Sequence, residues 1–292
     1  LPLLFWIIRE AGTALGLRDA PAVTLAMFHT VFNILGVLLL WPLTGRLTAH
    51  LEQRFRTEEE IEGHPKYLDK TIAVTPNLAL NALIMETGRI AEISRRMGLA
   101  VLSAELAPVP RLKRDAVILA NLSRACIDFV TLLGRTNLPP DIAERLPKVL
   151  RCGQYFSTAA ELAGSINRAQ TLMMPLSDET LGQKLSLIKS EAVALLQQLD
   201  PQRDDFSIEN CEAQLRTLQS IYQNLKAELL QAGARLRIDM PDMIELLDQV
   251  SRVRRMLEQL VKGGRYLVNL GQDATALTAK ESPEEHLPGE EW

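Results

Sequence analysis

MIELLDQVSRVRRMLEQL, residues 243 to 260, places apolar side chains at Met243, Leu246, Val250, Val253, Leu257 and Leu260. Alternating steps of three and four put all six on one side of an α-helix, the stripe that packs against a neighbour. The spacing recurs upstream at Leu215, Leu218, Tyr222, Leu225 and Leu229, and at Leu181, Leu185, Ile188, Ala192 and Leu195. It recurs again at Leu119, Leu122, Cys126, Phe129 and Leu133, and in a less apolar form at Val149, Cys152, Phe156, Ala159 and Ala163. Helix breakers separate the stripes: Pro108 and Pro110, Asn137 to Pro140, Pro175 and Ser177, Pro201 to Ser207, and Gly233 to Pro241. With Thr75 and Pro76 as an N-cap and first-turn pair, they mark out six helices, at about 76–106, 112–135, 141–171, 178–199, 207–232 and 240–270.

Helices with one apolar stripe and short connections predict an antiparallel bundle with crossing angles near about 20°. Proline breaks this frequent exclude a single long coiled coil. No stretch alternates in the manner of a strand, so the fold class is all-α. The sets 76–171 and 178–270 read as two three-helix repeats. The tail from residue 272 is predicted to be disordered, with five Glu and two Pro in the last twelve residues.

Upstream of the bundle the chain changes character. Residues Ala20 to Gly45, APAVTLAMFHTVFNILGVLLLWPLTG, contain no formally charged side chain over 26 positions. A bilayer core needs about 20 apolar residues, so this run is predicted to be a complete transmembrane helix, loosened at its end by Pro42 and Gly45. Arg46, Arg54 and Arg56 follow it, which places the bundle on the cytoplasmic side of the cell inner (plasma) membrane. Inside the span, His29 and Asn33 stand at i, i+4 with Thr30 beside them. Polar groups in hydrocarbon turn toward protein or water, so this face predicts either hydrogen bonds between helices or contact with an ion or substrate. Residues 57–75 read as a charged linker. The apolar start LPLLFWII has no charged region before it, so the chain is expected to be the C-terminal end of a longer membrane protein, with residues 1–56 the close of its membrane domain.

Charge excludes one class of partner. Residues 1–57 carry five Arg and three acidic residues, a balance of +2, and the remaining 27 basic and 33 acidic residues leave the rest at −6. Nucleic acid requires clustered Lys and Arg, so it is not expected as a partner. Cys126, Cys152 and Cys211 are odd in number and widely spaced, which fits reduced thiols.

Two stretches resemble a known family. TLAMFHTVFNILGVLLLWPL, residues 24–43, is similar to the last membrane helix of the sodium/phosphate cotransporters, where an A-x-x-H-x-x-F-N element leads into an apolar run ending in Pro. YLDKTIAVTPNLALNALIMETGRIAEISRRM, residues 67–97, is similar to the segment that follows in bacterial members. The six helices over residues 76–271 resemble the PhoU-like domain that those carriers bear. The resemblance implies a sodium-dependent phosphate symporter whose substrate and sodium sites lie mostly upstream, with sodium and phosphate as transported species and no bound cofactor. It implies as partners the lipid bilayer, the missing N-terminal membrane helices, and a regulatory protein or a second copy. A membrane-tethered PhoU-like interaction protein without transport activity is the alternative. PhoU-type domains carry E-x-x-x-D pairs where this chain has Ser157 with Glu161 and Ser251 with Arg255, so no metal is expected.

Glu86 falls on the apolar stripe of the first bundle helix. A buried carboxylate requires a partner, for which Arg89 and Lys113 are the candidates. His50 and His64 are expected on the surface, Glu58 to Glu60 in solvent, and Ser94, Arg95 and Arg96 on an exposed helix face. Gly263–Gly264–Arg265 is expected to break a helix. No nucleophile paired with a base, phosphate loop or metal-binding His motif is present, so no enzymatic activity is expected.

Overall fold

The structure, a computed structural model, describes Trp6, Glu10 and residues 21–55, 58–103, 109–135, 138–169 and 178–281. It divides into two units, residues 1–57 and 58–292. All of its regular structure among the described residues is helical, as the spacing of the apolar stripes requires.

The first unit contains α1, Pro21–Phe55. Its 35 residues give a length of about 52 Å, well over a bilayer core of about 30 Å. From Leu25 to Gly45 no described side chain is buried, and Leu35, Leu38, Leu39, Leu40 and Trp41 are exposed. The helix is thus long and apolar enough to cross a membrane. Pro42 does not end it, and the turns continue to Phe55. A proline removes one backbone N–H bond, and a helix of this length retains the rest on either side.

The second unit begins with α2, Glu58–Gly63, and a 3-10 helix, Lys70–Val74. Six long helices follow: α3 Pro76–Leu102, α4 Val109–Leu133, α5 Pro140–Ala169, α6 Glu179–Gln198, α7 Ile208–Ala234 and α8 Met240–Glu281. Side-chain caps fix several starts. Asp178 accepts from the N–H groups of Thr180 and Leu181, and Ser207 from that of Asn210. Thr75 occupies the N-cap position of α3 without a side-chain bond, so Pro76 at the first helical position provides the start signal there.

The helices α3, α4 and α5 pack on one another, and α7 packs on both α6 and α8. The most extensive contact joins the two sets through α5 and α8, with α3 also against α8 and α6. The predicted stripes fill the core: Leu122, Phe156, Leu195, Leu225 and Leu257 are all buried. Helix α4 is also apolar and long enough to span a bilayer, but its stripe faces the core and its Asp115 is buried against Arg96.

Three expectations are corrected. Residues 58–75 do not form a free linker, since α2 packs on α4 and the 3-10 helix on α3. Gly263 and Gly264 do not break α8, and the helix continues past residue 270 to Glu281. Tertiary packing overrides glycine's low helix propensity here, because the Phe156 ring occupies the space where a Cβ of Gly263 would stand. The proposed acidic tail is therefore helical to Glu281, and residues 282–292 lie outside the described ones.

The three cysteines are free and buried. Burial pushes the Cys126 and Cys152 thiols up to about 12 and that of Cys211 up to about 11. At pH 8 the folded bundle therefore offers very little thiolate. Iodoacetamide is expected to label these thiols at least about a hundredfold more slowly in buffer than in denaturant. Equal rates in the two conditions would contradict the packing.

Candidate functional site

Two places hold the residues singled out by sequence. In α1, His29 and Asn33 are exposed and make no hydrogen bond among the described residues. Thr30 differs, because its hydroxyl donates to the Ala26 carbonyl at 3.0 Å and is satisfied within its own helix. Thr44 does the same with Leu40 and Trp41. The groups of the HTVFN element that need an outside partner are therefore the imidazole and the amide. At 100° per residue, Gly36 and Leu40 fall on the same side as His29 and Asn33. A Cβ added at Gly36 meets nothing within 4 Å, so a second helix can approach closely there.

The second place surrounds Glu86, which is fully buried on α3. Its Oε1 accepts from Arg89 Nη1 at 2.5 Å, and its Oε2 from the backbone N–H groups of Lys66 and Tyr67 at 2.9 and 3.0 Å. Arg89 in turn donates to the carbonyls of Glu62 and His64, at 2.6 and 3.1 Å. About two turns beyond Arg89, Arg96 grips Asp115 of α4 with two donors, at 2.8 and 3.1 Å, and donates to the Glu62 carboxylate at 2.9 Å. Burial works against the Arg96 cation, yet the hydrogen bonds it donates to Asp115 and Glu62 raise it above the ordinary arginine range. Asp69 completes the segment by accepting from the Thr71 N–H, which lowers its carboxyl below the usual range.

These bonds fill three of the about four lone-pair sites of the Glu86 carboxylate, which is fully buried, so it has little to offer a ligand. Its work is attachment: Glu86, Arg89 and Arg96 hold residues 62–67 against α3 and α4. Arg89 was expected as the partner. Lys113 is exposed and is absent from the network, while the backbone N–H groups of residues 66 and 67, twenty positions upstream, supply what it was expected to give.

Ser94, Arg95 and Arg96 do not form an exposed face. Ser94 Oγ is buried and donates to the Phe156 carbonyl at 2.8 Å. Arg95 joins Glu92 to Asp200 and so ties α3 to the end of α6. His64 is exposed as expected, whereas the side chains of His50 and of Glu58 to Glu60 lie outside the described residues. Ser157 shares a hydrogen bond with Ser123, and Glu161 and Arg255 are exposed. No group of three His, Cys, Asp or Glu able to hold a metal occurs among the described residues. No protein-family model, curated protein or solved structure matches the chain.

Proposed function

We propose that this chain forms the end of a multi-span carrier, its last membrane helix followed by a cytoplasmic helical bundle that acts on transport. The observation that carries the reading is the uncovered polar face of His29 and Asn33 on an otherwise apolar helix of spanning length. A lone anchor gains nothing from two unpaired polar groups in hydrocarbon, each of which costs free energy until a neighbouring helix or a water-filled site satisfies it. The wall of a transport site supplies both. The resemblance of residues 24–43 and 67–97 names the cargo as sodium and inorganic phosphate, and the membrane as the inner (plasma) membrane.

The network at Glu86 fits a regulatory bundle. The chain leaves α1 at Phe55 and enters α2 at Glu58, and from Glu62 onward its backbone is fastened to α3. A ligand or partner that prefers one arrangement of the bundle then biases the access states of the carrier.

Uptake of radiolabelled phosphate by cells expressing the source gene, with sodium or with choline in the medium, tests the reading. Sodium-dependent uptake that falls at least about tenfold in Asn33→Ala and His29→Ala is expected, since each variant removes a polar group that a transport site would use. Uptake indifferent to sodium would refute it. A membrane-tethered interaction protein is the second reading, favoured by α1 being the one uncovered apolar helix of spanning length among the described residues. It predicts no uptake under either condition, with the chain still fractionating with membranes.

A further inference from the structure

Helices α5 and α8 bring together four side chains that the transport reading leaves unused. Arg151 and Tyr155 stand at i, i+4 on α5, and Lys262 and Tyr266 at i, i+4 on α8, so each pair shares one helix face. The pairs belong to two stretches with a common pattern, RCGQY at 151–155 and KGGRY at 262–266: a cation, a glycine two residues on and a tyrosine two further. Each stretch lies on the third long helix of its three-helix set.

The two stretches exchange partners across the helix pair. Lys262 Nζ lies 4.8 Å from the centre of the Tyr155 ring, and Arg151 lies close enough to the Tyr266 hydroxyl to lower its pKa. The two rings meet edge to face with centroids 5.4 Å apart. Each cation thus lies close to the tyrosine of the other stretch.

On α8, Arg252, Arg254 and Arg265 each have a carboxylate partner, in Asp248, Glu258 and Glu212, whereas Arg255 has none among the described residues. Neither Arg151 nor Lys262 forms an ion pair among the described residues, and both are exposed, while Tyr155 and Tyr266 are half-buried. Hydrogen bonds from Arg151 and Tyr155, with the charges of Arg151 and Lys262 added, hold the Tyr266 hydroxyl below the usual phenol range. The cluster is a place of unneutralised positive potential lined with O–H and N–H donors.

We propose that Arg151, Tyr155, Lys262 and Tyr266 form a binding site for a tetrahedral oxyanion of the phosphate class. A guanidinium fork, an ammonium and two phenols supply donors on four side chains, which suits an acceptor with several equivalent oxygens better than a two-oxygen carboxylate. On binding, Arg151 and Lys262 turn their N–H donors to the ligand, and the phenol hydrogens turn outward. The site stands apart from the span and does not depend on the transport reading.

Calorimetric titration of the full chain in detergent, with inorganic phosphate at constant ionic strength in chloride, tests the proposal. Saturable binding is expected, weakened at least about tenfold in R151Q/K262Q, because charge-assisted hydrogen bonds to the anion are lost. Y155F/Y266F keeps both rings in place and is expected to weaken binding about three- to tenfold, whereas R252Q, at an arginine already paired, leaves it unchanged. A phosphomonoester binding more tightly than free phosphate would still support the site and identify an organic phosphate as its ligand. The proposal is overturned by absence of saturable binding up to about 10 mM, a concentration corresponding to negligible affinity. Acetate binding as tightly as phosphate, or affinity unchanged in both double variants, would also overturn it. Phosphate uptake measured on the same variants keeps the two readings apart, since binding lost here with uptake intact leaves the transport reading standing.

Discussion

Replacing Glu86 by alanine is expected to cost the bundle about 3–5 kcal/mol, the usual loss when one partner of a buried ion pair is removed. The size follows from what the carboxylate satisfies. Without it, Arg89 Nη1 loses its closest acceptor, and the N–H groups of Lys66 and Tyr67 have no protein acceptor where they now find Glu86. Glu86→Gln is expected to lose less, about 1.5–3 kcal/mol, the range for a hydrogen bond to a charged group. Its amide oxygen can still face the two N–H groups, but its NH2 then meets the donors of Arg89. Since a domain is held by about 5–15 kcal/mol in all, the alanine variant would remove much of the total. Denaturant unfolding of the full chain in detergent, followed by far-UV circular dichroism, measures the loss. Hydrogen exchange at the amides of residues 62–67 gives a local reading, and their protection is expected to vanish first. An alanine variant within about 1 kcal/mol of the parent would mean that these bonds contribute little net stability.

That network shows where reading the sequence reached and where it stopped. The six long helices were legible within a few residues, save the C-terminal end of α8 at Glu281, because apolar periodicity and proline breaks are signals carried along the chain. Glu86 was legible as an anomaly, a carboxylate on an apolar stripe, and Arg89 as a partner one turn away. The attachment of residues 62–67 was not legible, because, apart from the Glu62 carboxylate, their contribution is made by backbone carbonyls and N–H groups about which the side chains say nothing. A charged stretch such as TEEEIEGHPKYLDK reads as solvated until Arg89 and Arg96 are seen to reach it. The motif shared by residues 151–155 and 262–266 was present in the sequence and carried a signal. It acquires meaning only when α5 and α8 are known to cross there, a contact between positions more than a hundred residues apart. Gly263–Gly264 was misread for the same reason: local propensity disfavours glycine in a helix, and only the distant Phe156 ring makes its lack of a side chain useful.

The contact between Phe156 and Gly263 is where the second large loss is expected. Phe156 is buried, and a Cβ added at Gly263 would stand 2.7 and 2.8 Å from its Cε1 and Cζ atoms. Phe156→Ala should cost about 3–5 kcal/mol, through lost burial and the cavity left between α5 and α8. Gly263→Ala should cost about 1–3 kcal/mol from overpacking, despite a gain of about 1 kcal/mol in helix propensity. The ring cannot retreat easily, because it lies where the two helix sets meet and Cys152 Sγ already holds the Gly263 carbonyl at 3.3 Å. Gly153 offers the opposite case on α5, since a Cβ there meets nothing within 4 Å. Gly153→Ala is therefore expected to stabilise by about 0.5–1 kcal/mol, so two identical substitutions in the paired motifs should differ in sign. Combining Gly263→Ala with Phe156→Leu, a smaller and more adaptable side chain, should cost less than the two single variants together. The expected coupling is about 0.5–3 kcal/mol, and thermal or denaturant unfolding of the four proteins measures it. Strict additivity, or a stabilising Gly263→Ala, would show that α5 and α8 can separate at this point without loss. The crossing that aligns Tyr155 with Tyr266 would then not be fixed by the ring.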